Sequence, residues 1–107
     1  MKRILFVCGK ARVRSPTAAQ VFAEWDGIRT DFGGLSNDAD DALSADQIDW
    51  ADLIMVMERR HQTRLNSKFG RMLAGKKVLV LDIRDRFTFM EQALIEELLE
   101  KAGPRLR

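Results

Sequence analysis

The residues of this chain best suited to do chemistry together are Cys8, Arg14 and Ser15, joined by Gly9-Lys10-Ala11-Arg12-Val13 and followed by Pro16. A thiolate is both a strong nucleophile and a competent leaving group. The planar guanidinium of an arginine holds two oxygens of a tetrahedral anion at once and follows them as charge moves. A serine hydroxyl beside the sulfur donates to the thiolate as it attacks and again as it leaves. A loop between a strand and a helix N-terminus turns backbone N–H groups inward, and the helix dipole favours negative charge there. These residue types at this spacing point to attack by sulfur on a bound phosphoryl-type oxyanion. Cys and Arg at such a separation are common, so the motif draws its weight from its setting.

That setting has to place the cysteine at a strand end and the arginine at a helix start. Arg3 to Cys8 is a short apolar run without alternation, as expected of a buried parallel strand. Ser15 is the expected N-cap, and Pro16 the first residue, of a helix reaching Trp25. Arg29 to Leu35 is a weak second strand closed by Gly33-Gly34, and Ser36 to Asp41 is a polar, acidic loop. Ser44 with Gln47 fits a capping box that opens a short helix through Ala51. Asp52 to Met57 is a third strand, with Met55 and Met57 as core residues. Glu58 to Leu73 is a basic helix with Gly70 near its end, and its run from Arg59 to Arg71 reads as a solvated face. Lys77 to Leu81 is a fourth strand, Asp82 to Thr88 a loop, and Met90 to Ala102 a closing amphipathic helix stopped by Gly103-Pro104.

Strands alternating with helices imply right-handed crossovers and a parallel sheet covered on both faces. Ligands of such sheets bind at the carboxyl ends of the strands. The loops after the first and fourth strands then open on one edge, which brings thiol, guanidinium and carboxylate to one mouth.

At 107 residues the chain is expected to form one domain, 1–107. Its apolar and charged fractions, 46% and 32%, are those of a globular protein. A formal charge of +2 with no long block of one sign gives no argument for nucleic acid. A single cysteine excludes an internal disulfide and fits a reducing, cytoplasmic setting. The apolar stretch Ile4 to Val7 is too short for a signal-peptide core or a membrane span. No metal-ligand cluster is visible in the sequence.

The sequence resembles the low-molecular-weight protein-tyrosine-phosphatase family. The resemblance rests on Val7-Cys8, the five loop residues, Arg14-Ser15-Pro16 and then Thr17-Ala18-Ala19-Gln20-Val21-Phe22. Trp50 to Glu58 resembles that family's third strand, and Leu81-Asp82-Ile83-Arg84-Asp85-Arg86-Phe87 sits where the family places its acid loop. Nearly the whole chain is covered, and the similarity looks closest to a shortened branch lacking the last strand–helix part. The resemblance implies a three-layer α/β fold, with a four-stranded parallel sheet in the flavodoxin-like order 2-1-3-4.

It also implies a phosphomonoester hydrolase that works through a phosphocysteine, without a cofactor, on a phosphorylated protein or a small aryl phosphate. Cys8, Arg14 and Asp85 would be catalytic. Gly9, Lys10, Ala11, Arg12, Val13, Arg14 and Ser15 would bind the phosphate, and Phe87 would wall an aryl ring. Asp85 is preferred to Asp82 as the acid because Asp82 directly ends the strand. A weak homodimer is compatible with a small basic protein of this kind.

Three departures stand out. Lys10 and Ala11 replace the family's usual Gly and Asn, Val13 stands where many members have a second cysteine, and the chain has no tyrosine. Lys10 and Ala11 favour one alternative, a phosphate- or phosphoprotein-binding module with little turnover. An arsenate reductase is a further alternative on this fold, but with no resolving cysteine in the chain it would have to borrow an external thiol. His61, the only histidine, is expected on the helix surface.

Overall fold

Along β1 (Lys2–Cys8) the side chains alternate between two cores, although the run itself does not alternate in polarity. The computed structural model describes residues 1–107. Ile4, Phe6 and Cys8 face one side and pack among Ala18, Phe22, Leu94 and Leu98. Leu5 and Val7 face the other side, among Ile48, Ile54 and Leu65. Ile4 to Val7 are fully buried, and each such side chain contributes roughly 1.5–3 kcal/mol. A strand covered on both faces has no use for polar residues, so its sequence reads as a plain apolar run.

β1 lies inside a four-stranded parallel sheet of order β2-β1-β3-β4, with β2 at Ile28–Gly34, β3 at Leu53–Val56 and β4 at Lys77–Val80. Helices α1 (Arg14–Ala23) and α4 (Gln92–Lys101) cover one face. Helices α2 (Ala45–Trp50) and α3 (Arg59–Phe69) cover the other. This is the three-layer α/β architecture and strand order expected from the resemblance. Met55 and Met57 are fully buried, as expected of strand core.

The helix ends differ from expectation in informative ways. Helix α1 begins at Arg14, and Val13 takes the cap position without a side-chain cap bond. Ser15 is thus not the N-cap; its hydroxyl turns to the Cys8 sulfur instead. Pro16 is the third helical residue, still inside the first turn, where N–H groups lack intrahelical partners. The Ser44–Gln47 capping box forms with both bonds. The basic helix ends at Phe69, and Gly70–Leu73 continue only as a 3-10 turn. Helix α4 starts at Gln92 rather than Met90, because Met90 adopts φ +59°, outside the right-handed helical region.

Candidate active site

The loop after β1 is held from outside by the segment that follows β2. The carbonyls of Cys8, Gly9 and Lys10 accept from the N–H groups of Leu35 (3.0 Å), Ser36 (2.8 Å) and Asp40 (3.1 Å). The N–H groups of residues 9–13, by contrast, donate to no other protein group. A loop with its carbonyls satisfied outward and its amides unengaged is a nest for a tetrahedral anion. Gly34 permits the close approach: a Cβ there would fall 2.6 Å from the Gly9 carbonyl oxygen.

Ala11 adopts φ +59°, in the left-handed region, which costs an ordinary L residue roughly 1–2 kcal/mol. No side chain of its own supports this geometry. The bonds from the Ser36 and Asp40 N–H groups to the carbonyls of the two preceding residues, Gly9 and Lys10, hold it instead. Two ion pairs reinforce the clamp: Lys10 Nζ to Asp38 Oδ2 at 2.8 Å and Arg12 Nε to Asp40 Oδ2 at 3.2 Å. Hydrogen bonds from Lys10 and then Ser36 hold the Asp38 carboxyl at about 2. The side chains of Lys10 and Arg12 are therefore engaged with the acidic strap, while the loop backbone lines the cleft.

Cys8 is buried, with Sγ 3.0 Å from Ser15 Oγ. Arg14 is 4% exposed. Its Nη1 donates to the Glu58 carboxylate and to the Ile83 carbonyl at 2.7 Å. Its Nε and Nη2 make no hydrogen bond, and Nε lies 3.9 Å from Asp85 Oδ1. One edge of the fork is thus locked, and the other is available to an oxyanion. Burial alone would raise the Glu58 carboxyl, but the hydrogen bonds and charges of Arg60 and Arg14 outweigh it and hold it at about 2. Glu58 stays ionised as the counter-charge that fixes Arg14.

His61 is buried, not on the surface as expected. His61 and Leu65, one turn apart, are the two residues of α3 buried where the helix docks on the sheet, and a mostly basic stretch carries little periodic signal for that inward face. The His61 Nδ1 accepts from the Glu58 N–H at 3.1 Å. Burial, followed by the charges of Arg14 and Arg60, pushes its pKa down to about 4, so it is neutral near pH 7. The proton then sits on Nε2, which is buried without a partner on the Gly9 side.

A cleft of about 350 Å³ opens over the loop, lined by residues 8–14 with Ser36, Arg60, Arg64 and Asp85. Cys8, Arg14 and Asp85 thus meet at one mouth. Asp82 does not line it; its carbonyl accepts from Lys101 at 2.6 Å. Phe87 does not line it either. That ring packs half-buried against the core beneath α1 and α4, with the Arg86 guanidinium 5.1 Å from its centroid. Arg60 and Arg64 belong to a run read as a solvated face, yet they stand at the cleft.

Sequence reasoning missed Glu58, the buried His61, these two arginines and the acidic strap. The strap left one legible signal. Asp38 and Asp40 repeat the two-residue spacing of Lys10 and Arg12 with opposite charge. No group of His, Cys, Asp and Glu is arranged to hold a metal ion, and no helix is long and apolar enough to cross a membrane.

Among solved structures the chain is similar to a mutant of YwlE from Bacillus subtilis, at 24% identity over 99% of both chains with TM-score 0.75. It is also similar to Vibrio vulnificus Wzb in complex with benzylphosphonate, at 20% identity over 97% of this chain and 96% of that one, TM-score 0.78. A third is SP-PTP, the low molecular weight protein tyrosine phosphatase of Streptococcus pyogenes, at 14% identity over 99% and 91%, TM-score 0.76. No protein-family model and no curated protein sequence matches the chain. The chain therefore has the fold of the low molecular weight protein tyrosine phosphatases.

Proposed function

We propose that this protein is a cysteine-dependent phosphomonoester hydrolase of the low-molecular-weight protein-tyrosine-phosphatase type, acting in the cytoplasm. The observation that carries the proposal is the loop of unengaged amides at residues 9–13, closed by Cys8 Sγ at one end and the available edge of Arg14 at the other. The fold neighbours agree with it. One YwlE arginine phosphatase structure, a Cys-to-Ser mutant, carries a phosphorylated active-site serine, and Wzb was solved with benzylphosphonate.

In this reading the loop amides and the Nε–Nη2 edge of Arg14 hold the non-bridging oxygens. The Cys8 thiolate attacks phosphorus, the S–P bond forms and the P–O bond to the leaving group breaks. Asp85, as the acid, gives its proton to the departing oxygen. The Asp85 carboxylate then takes a proton from water as that water attacks phosphorus. The S–P bond breaks, and the thiolate is restored with the Ser15 hydroxyl donating to it. Each preorganised oxyanion donor lowers the barrier by roughly 3–4 kcal/mol. Cys8 has no thiol partner in the chain, so the arsenate-reductase alternative would need an external resolving thiol.

Release of p-nitrophenol from its phosphate ester, measured across pH for wild type and Cys8→Ser, tests the proposal. A Cys8-dependent rate with competitive inhibition by phosphate and vanadate is expected. A wild type that binds phosphate but does not turn over would support the binding-module reading, which the strained Ala11 favours. Arsenate-dependent consumption of an added thiol would support the reductase.

A further inference from the structure

The walls of the cleft contain no aromatic ring. Phe87 is turned into the core, and Phe89 lies in a separate shallow groove with Pro16 and Phe32. In place of rings, Arg60 and Arg64 stand at the mouth, both exposed and one helical turn apart on α3, so they project from the same face.

The charge balance of these groups is uneven. Lys10 and Arg12 are each paired with a carboxylate of the strap. Glu58 is shared between Arg14 and Arg60. Arg64 has no carboxylate partner; its only bond is a long one, 3.4 Å, to the Leu35 carbonyl. A phosphoryl group seated in the loop uses the amides and Arg14. That leaves Arg64, and the half-compensated Arg60, facing whatever adjoins the phosphoryl group.

We propose that the substrate carries a second anionic group, a carboxylate or another phosphate, beside the phosphoryl group that is cleaved, and that Arg60 and Arg64 bind it at the mouth. The proposal rests on the phosphatase reading and narrows its substrate class. It makes Arg60 and Arg64 specificity residues rather than catalytic ones. The second anion can belong to a small phosphate ester or to an acidic side chain flanking a phosphorylated residue. The chemistry at the mouth is the same.

The test compares matched substrates. One pair is phenyl phosphate and its carboxymethyl-substituted analogue; the other is a single phosphopeptide with Glu or with Gln beside the phosphorylated residue. The wild type is expected to favour the anionic member of at least one pair in kcat/KM by roughly fivefold to tenfold at low salt, the size expected of exposed charge pairs. The preference should fall toward unity in Arg60→Gln/Arg64→Gln and in high salt. Preference in the small pair alone indicates a free phosphate ester, and in the peptide pair a protein substrate; both support the proposal. No preference in either pair, or a preference that survives the double substitution, overturns it.

A protein that turns over none of the four would fail the phosphatase reading instead. Binding of pyrophosphate and of phosphate to Cys8→Ser then decides the inference separately. Pyrophosphate binding tighter than phosphate, with the difference lost in the added double substitution, supports it; equal binding overturns it.

Discussion

The loop of residues 8–15 and the loop of residues 82–89 face each other across one cleft but are built by opposite rules. In the first, three successive carbonyls are bonded from outside, Ser15 is fully buried and Arg14 is 4% exposed. In the second, the backbone is fixed mainly at the ends, with the Phe87 ring packed on the core between them. Ile83 is buried; it donates to Met57 at 2.8 Å and accepts from Arg14 at 2.7 Å. At the far end the Met90 N–H donates to the Thr17 hydroxyl at 3.0 Å. Between these anchors Asp85 keeps 63% of its side chain exposed.

The difference fits the tasks proposed for each loop. A nucleophile and an oxyanion cradle gain most from being fixed before the reaction begins. An acid that must first meet a leaving oxygen and then a water needs solvent access and room. The Arg14–Ile83 bond joins the two, so the position of the loop proposed to carry the acid is referred to the arginine proposed to grip the phosphoryl group.

The comparison breaks most severely at the rigid loop. Cys8→Ser should lower kcat by at least about 10^4-fold, with phosphate binding retained. At the exposed loop, Asp85→Asn should cost about 10^2- to 10^4-fold in kcat. Asp82→Asn should stay within about twofold, because Asp82 lies outside the cleft and asparagine tolerates its φ of +59°. Steady-state kinetics on an aryl phosphate checks all three, and the reverse order of Asp85 and Asp82 would overturn the choice of acid.

Two smaller effects concern what underlies the rigid loop. His61 titrates at about 4 in the fold, below its ordinary value of 6.5. The unfolded chain therefore binds its proton first as pH falls, and stability should drop between about pH 6.5 and 4 by roughly 2–3 kcal/mol. Urea denaturation at several pH values should show this slope, and His61→Gln should flatten it. Loss from Glu58 follows at lower pH, from 4.5 toward 2. The smallest expected change is Ala11→Gly, which removes the left-handed strain and should stabilise the fold by about 0.5–1 kcal/mol by thermal melting.

Much of this molecule is legible in one dimension because its signals are local. The apolar run Ile4–Val7, the Ser44–Gln47 box and the sequence around Cys8 and Arg14 each state their structure within a few residues. From these follow the alternating elements, the parallel sheet, and the loops that meet at one edge. What the tertiary structure alone decided is which groups stand behind the loop. Glu58 reaches Arg14 across 44 positions, and the strap reaches Lys10 and Arg12 across 28. His61 is buried by docking of α3, and Phe87 leaves the cleft for the core. Short-range patterns fix backbone geometry, where each residue is constrained by its neighbours. The partners of a buried charge or ring are chosen by packing between elements, and that information is distributed over the whole chain.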